Sequence, residues 1–398
     1  MREGLVSEAL DRIRRDDVVK LCRDLVRIPS ETGHESEIAD FISGLLEGWG
    51  FEVKKYEVAE GRPNVIGFLR GSVGSPSLML NGHMDTVPIE GMTVDPLAAE
   101  VRDGKIYGRG AADMKGGLAS MLLAAKAVKD SEVPLNGDLV IAAVIDEEGR
   151  GLGTSHLRKL GLKTEYGIVV EPTSLDIVIA HKGERVFELT VKGKPAHGST
   201  PELGVNAIYQ MTKAINNLLQ YAERLKERRH PLLGYPTINI GRIEGGTHFS
   251  VVPESCRIQI DRRFLPGESP EAALKEMDAV LMEIKKSDPS FEYELRLSKD
   301  FTPEYGIALD CSPEEPVVKA LLKAGEVVLH KRLNLRGASY TTDASLMFSP
   351  PLNIKTVVFG PGAIEQAHSS SEYVEINELL EASRILALAI INLGAQEP

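Results

Sequence analysis

The side chains with chemical potential in this sequence sit where apolar runs stop. In "SLMLNGHMDTV", residues 77–87, an apolar run ends at His83 and Asp85, two residues apart. Side chains at i and i+2 of a strand share a face, so this imidazole and this carboxylate lie side by side where a strand meets a loop. One ring nitrogen is then free for a metal, and the other donates to the carboxylate that orients it. The placement recurs along the chain. Asp146, Glu147 and Glu148 follow "GDLVIAAVI", Glu171 follows "YGIVV", Asp113 lies in the glycine-rich "GRGAADMKGG", and His368 follows "FGPGAIEQA". Two histidines and several carboxylates, with no cysteine among them, suit zinc or another divalent ion held by nitrogen and oxygen.

The elements that must bring these residues together are legible from periodicity. Helices are expected at 5–27 and 35–49, and strands at 51–58, 64–69 and 77–82. A glycine-rich turn then opens a helix at 118–129. Residues 137–148 and 166–173 are apolar on both faces, as in strands covered by helices on each side. Strands alternating with helices argue α/β architecture, and ligands in such open sheets bind beyond the carboxyl ends of the strands. Near residue 181 the pattern changes, because "ERVFELTVKG" alternates strictly. A helix at 202–226, strands at 235–243 and 254–264, a helix at 270–286 and a strand at 291–297 complete a β-α-β-β-α-β order, the mark of a ferredoxin-like module. After about residue 300 the α/β character returns, with a helix at 315–329, strands at 333–336 and 354–359, and a helix at 377–393. The expected organisation is a larger discontinuous domain, 1–180 and 299–398, with a small α+β domain inserted at 181–298.

Bulk properties narrow the partners. The chain has 398 residues, 42% hydrophobic and 26% charged, an ordinary globular composition. Its net charge of −12, with no long basic run, argues against nucleic acid. Cys22, Cys256 and Cys311 are scattered and form neither a metal pair nor a disulfide framework. No stretch suits a signal peptide or a membrane span, so a cytoplasmic protein without membrane partners is expected. "GRGAADMKGG" is no phosphate loop, since it lacks the GxxxxGK[ST] order.

Taken in order, "GHMDTVP", "GRGAADMKGG", "DEEGRGLGT", "VVEPT", "KGKPAHGSTPELGVNAI" and "AHSSSEYVEI" resemble the successive motifs of the M20 metallopeptidases and aminoacylases. That group includes acetylornithine deacetylase, succinyl-diaminopimelate desuccinylase and carboxypeptidases. The resemblance spans nearly the whole chain and implies two divalent metal ions, zinc first, with cobalt or manganese as alternatives. It implies that His83 and Glu171 bind the first ion, Glu148 and His368 bind the second, and Asp113 bridges them. Asp85 would orient His83, and Glu147 would be the general base. In the inserted domain, which acts in the family as a lid and dimerisation module, His197 would stabilise the tetrahedral oxyanion. Arg263 in "IDRRFLPG" would grip a substrate carboxylate, with Arg262 pointing to the opposite sheet face. Asn206 and Thr342 would help to bind substrate, beside Asp343 of "YTTDAS". Where family members often carry Asn, "THFSVVP" has Ser250, which reaches less far.

The activity this implies is removal of an acyl group from an N-acyl-L-amino acid, of the acetylornithine or succinyl-diaminopimelate kind. A dipeptidase or carboxypeptidase with the same site is the alternative, and a metal-free binding relative a third. The expected partners are a small N-acyl amino acid or short peptide and a second copy of the chain.

Overall fold

The computed structural model describes residues 2–73, 75–299 and 306–394. The chain divides into two compact units: 1–180 with 310–337 and 342–398, and 181–309 with 338–341. The expected return to the larger domain at 299 runs into residues 300–305, which lie outside the described residues.

The larger unit is organised by a mixed sheet. From one edge its strands run Glu52–Ala59, Arg62–Leu69, Leu139–Val144, Leu78–His83, Tyr166–Val169, Lys355–Val358 and Ile177–His181. The four strands from Leu139–Val144 to Lys355–Val358 are mutually parallel, and the outer pairs are antiparallel. Every residue of Leu78–His83 and Leu139–Val144 is buried; the second reads as a continuous apolar run, and the first is apolar from Leu78 to Leu80 before Asn81 and His83. Helices Arg15–Arg27, Gly116–Asp130, Pro316–Leu329 and Ile376–Gly394 contribute to one apolar core with the sheet. A three-stranded sheet, Tyr373–Glu375, Lys105–Tyr107 and Glu100–Arg102, joins the segment after His368 to the segment before Asp113.

The smaller unit carries the β-α-β-β-α-β order. Its antiparallel strands stand in the order Thr237–Gly245, Ser255–Phe264, Gly183–Lys192, Glu292–Leu297. Helices Ala207–Leu225 and Pro270–Ser287 pack with the sheet around a core of Phe187, Leu189, Ile258, Ile260, Met211 and Met277. From Cys256 to Phe264 the strand Ser255–Phe264 alternates buried and half-exposed residues, as a strand with one covered face does.

Several boundaries differ from expectation for local reasons. The single helix expected over 5–27 is two, Arg2–Asp11 and Arg15–Arg27, because Arg14 is extended and pairs with Asp17 while Asp16 and Asp17 favour a new helix N-terminus. The strand expected over 137–148 stops at Val144, where Asp146 turns into the left-handed region at φ 66°. The helix expected from 202 starts at Ala207, after Asn206 caps it. The three-residue strands of the small sheet are too short for periodicity to reveal. Among the described residues no helix is long and apolar enough to cross a membrane.

Candidate metal centre

The parallel strands deliver their acidic and imidazole groups at one end of the sheet. His83 closes strand Leu78–His83, and Asp85 follows it. Asp146, Glu147 and Glu148 follow Leu139–Val144, and Glu171 lies two residues beyond Tyr166–Val169. Asp113 arrives from the irregular turn Ala111–Lys115, with φ −121° and ψ 95°, just before helix Gly116–Asp130. The start of that helix lies against the chain at Val170: a Cβ at Gly117 would stand 2.0 Å from the Val170 carbonyl oxygen. Only glycine permits the approach that sets Asp113 beside Glu171.

The decisive geometry is at Asp113. Its Oδ1 is 3.0 Å from His83 Nε2, while its Oδ2 is 3.5 Å from His368 Nε2. Glu171 Oε1 stands 3.6 Å from His83 Nε2. On the other side, His368 Nε2 is 3.0 and 3.1 Å from the two Glu148 oxygens. One carboxylate therefore faces two imidazoles with different oxygens, and each imidazole has a second carboxylate of its own. Ligand atoms of His83, Glu147 and Glu171 come within 4.8 Å of one another, as do those of His83, Asp113 and Glu148. All five residues expected to hold metal are thus brought together, with Glu147 beside them.

The electrostatics fit cations. Burial pushes the Glu171 carboxyl well above the usual carboxylate range, with Asp113 and Glu148 adding to the shift. Glu147 is driven the same way by burial and by Glu171. Burial would lower His83, but Glu171, Asp113 and Asp85 outweigh it and raise its pKa well above the ordinary value. His368 is raised by its hydrogen bond to Glu148. So many carboxylates in one buried place repel one another, and divalent ions bound among them reverse that cost. The donor set, imidazole nitrogen and carboxylate oxygen without thiolate, fits zinc, cobalt or manganese.

Asp85 differs from expectation. His83 Nδ1 stands 2.8 Å from the backbone carbonyl of Asp85 and 3.6 Å from its carboxylate. The carboxylate is turned away to accept the backbone N–H groups of Glu147 and Glu148, at 3.1 and 3.2 Å, and the Thr32 hydroxyl at 2.8 Å. Asp85 therefore fixes His83 through its main chain and the glutamate loop through its side chain. Sequence reasoning missed the other braces. Arg62 forks onto buried Glu35 and reaches Asp146 at 2.7 Å, and Asp146 in turn holds the Arg150 N–H. Glu372 accepts the N–H of Asp113. Glu372 stands in "SSSEYVEI", four residues after His368, but nothing in the spacing ties it to residue 113.

Thr342, expected to meet substrate, is buried at 1% exposure, and its hydroxyl accepts the Ala344 N–H. That contact ties the hydroxyl to the start of helix Ala344–Phe348.

The candidates of the smaller unit have their own surroundings. His197 is exposed, and its Nδ1 accepts the Ser199 N–H at 3.1 Å. A ring nitrogen that accepts carries no proton in the neutral imidazole, so Nε2 is the donor. Arg263 pairs with Glu184 at 2.8 Å and with Asp261 at 3.0 Å, so a substrate carboxylate there competes with two resident ones. Arg262 points to the opposite face, buried against Glu268 and over the Phe264 ring. Asn206 Oδ1 caps its helix, accepting from Ile208 and Tyr209. The Ser250 hydroxyl is engaged by His248 at 2.7 Å.

Comparison with known proteins agrees with this chemistry. Residues 79–392 match the model of peptidase family M20/M25/M40. An N-formyl-4-amino-5-aminomethyl-2-methylpyrimidine deformylase of Bacillus subtilis is 29% identical, with 95% of each chain covered. An acetylornithine deacetylase of Pectobacterium carotovorum is 32% identical over 94% of this chain and 97% of its own. Among solved structures, the aminopeptidase PepT of Bacillus cereus superposes with a TM-score of 0.80 at 25% identity, covering 96% of this chain and 99% of that one. The chain belongs to peptidase family M20 and is a hydrolase of amide bonds.

Proposed function

We propose that the protein removes the acyl group from an N-acyl amino acid or a related N-acyl amine, using two divalent ions, zinc foremost, held by His83, Asp113, Glu148, Glu171 and His368. The observation that carries this reading is the division of Asp113's two oxygens between His83 and His368. Bound ions there would polarise the acyl carbonyl and acidify a water molecule. Glu147 lies beside that cluster, and burial together with Glu171 holds its carboxyl above the usual carboxylate range, the direction that suits a group taking and returning a proton. It removes the water proton as the water oxygen bonds to the acyl carbon, and delivers it to nitrogen as the C–N bond breaks. Glu148, its neighbour, meets His368 at 3.0 Å, which supports giving Glu148 to the metal and the proton transfers to Glu147.

His197 Nε2, fixed as a donor by Ser199, suits the charge that develops on the carbonyl oxygen. Arg263 suits a substrate carboxylate, with Asn206 at the same subsite. The smaller unit is proposed as both lid and dimer contact; Leu203, Tyr209, Ile243 and Phe249 are exposed apolar residues on it. The three cysteines are free and buried, which accords with a reducing cytoplasm.

Amine release from N-formyl, N-acetyl and N-succinyl substrates and from dipeptides tests the reading, with metal-stripped protein before and after adding zinc or cobalt. The proposal expects metal-restored cleavage of one N-acyl class. Preference for dipeptides makes the protein a peptidase, and cleavage that survives complete metal removal contradicts the metal assignment.

A further inference from the structure

Glu372 is a buried carboxylate that the chemistry above does not use. It lies four residues beyond His368, and all its side-chain partners come from the stretch that ends at Asp113. Its Oε1 accepts the N–H groups of Ala112 at 2.9 Å and Asp113 at 3.1 Å. Its Oε2 accepts the Gly110 N–H at 3.0 Å and Arg109 Nη1 at 2.7 Å. Residue 372 has no exposed surface, and Arg109 is 5% exposed. Arg109 also donates to the carbonyls of Pro88 and Ser369, while Gly108 N–H donates to the carbonyl of Glu372 itself.

This backbone cannot satisfy those donors alone. Gly110 is left-handed at φ 81°, and Asp113 and Met114 have non-helical angles, so the stretch forms no regular helical turn before Gly116. A carboxylate supplies enough lone pairs for four donors, and an ionised one binds N–H groups more strongly than a neutral acceptor does. The loop with Asp113 and the loop with His368 are thereby tied into one piece, whose two ends bring Asp113 Oδ2 and His368 Nε2 within 3.5 Å.

Resting on the metal reading above, we propose that Glu372, backed by Arg109, is the positioning residue for Asp113: it fixes the backbone from which that carboxylate faces both His83 and His368. The consequence is specific. Weakening Glu372 impairs capture of the second ion and the chemical step, while substrate binding stays nearly unchanged.

The test uses Glu372→Gln, Glu372→Asp and Arg109→Lys in the full chain. Amide hydrogen exchange on the metal-free proteins reads the backbone, and cobalt titration with steady-state kinetics reads the site. In Glu372→Gln, residues 110–113 should exchange faster, while strand Leu139–Val144 keeps its protection. The second cobalt should bind about tenfold or more weakly, the range for partners that orient metal ligands. The rate constant kcat should fall with KM nearly constant, and Glu372→Asp, which keeps the charge, should recover part of the loss. Arg109→Lys, milder and free of the risk that removing the carboxylate prevents folding, should shift cobalt binding in the same direction by less. Unchanged exchange at 110–113 in Glu372→Gln, or wild-type binding of both cobalt ions in Glu372→Gln and Arg109→Lys, overturns the proposal. Wild-type protein that takes up no cobalt removes the metal reading and this proposal with it.

Discussion

The carboxylate cluster of the larger unit and the candidate substrate surface of the smaller one are built on opposite principles. His83, Asp113 and Glu171 are buried, lie at or just beyond strand ends or against a helix start, and have neighbours braced by buried partners such as Glu35 and Glu372. His197 sits on an exposed loop, where the Ser199 N–H meets its ring, and Arg263 on a half-exposed sheet face, where Glu184 and Asp261 hold it. A site that must hold ions at fixed distances needs rigid backbone behind each ligand. A site that meets substrates of differing shape can use side chains whose local partners are exchangeable.

Substitutions break this comparison at different depths. The largest expected effect is at Glu147. Glu147→Gln should lower kcat by about 10²–10⁴-fold, the range for a lost general base, while bound metal measured by elemental analysis stays at the wild-type level. His197→Ala should cost about 10²–10³-fold in kcat, as loss of an oxyanion donor does, again with metal content unchanged. Parallel loss of metal in that variant would erase the distinction between the two regions.

A third variant tests the point where the chain passes between the units. His181 is buried, and burial lowers its pKa to about 4 from 6.5. The fold keeps the ring neutral, whereas the unfolded chain takes up a proton below about 6.5. Stability is therefore fully present above pH 6.5 and is lost as pH falls toward 4, by about 3 kcal/mol in all. Denaturation across that range should lose this acid limb in His181→Asn, which keeps a donor for the Lys182 carbonyl that Nδ1 now meets. The smallest effect belongs to Asn206. Asn206→Ala should lower stability by about 1 kcal/mol through the lost cap, measurable as a drop in Tm. A change in KM as well would add a contact with substrate to its structural role.

What could be read from the sequence follows the same division. Ligands at the ends of long apolar strands announce themselves, because a buried parallel strand is a run of apolar residues and its end is where polar groups become possible. The placement of His83, Glu148 and Glu171 beyond strand ends was legible for that reason. The α/β order and the inserted β-α-β-β-α-β module were legible because each element is long enough to show its period. The braces were not. Glu372 meets Asp113 across more than two hundred and fifty residues of chain, and Asp85 turns its carboxylate to main-chain N–H groups that carry no sequence signal. The local partner of Thr342 was hidden in the same way: a hydroxyl next to a helix start accepts a backbone N–H that a motif does not reveal.

The central proposal is that Asp113 is shared by two ions. The measurement that tests it is metal bound per chain in wild-type protein and in Asp113→Asn, purified metal-free and equilibrated with zinc, with amine release followed in the same samples. The account predicts two ions per chain in the wild type, and loss of tight binding together with loss of turnover in the variant. Wild-type protein saturating at a single ion, or Asp113→Asn retaining two ions and its activity, would contradict it.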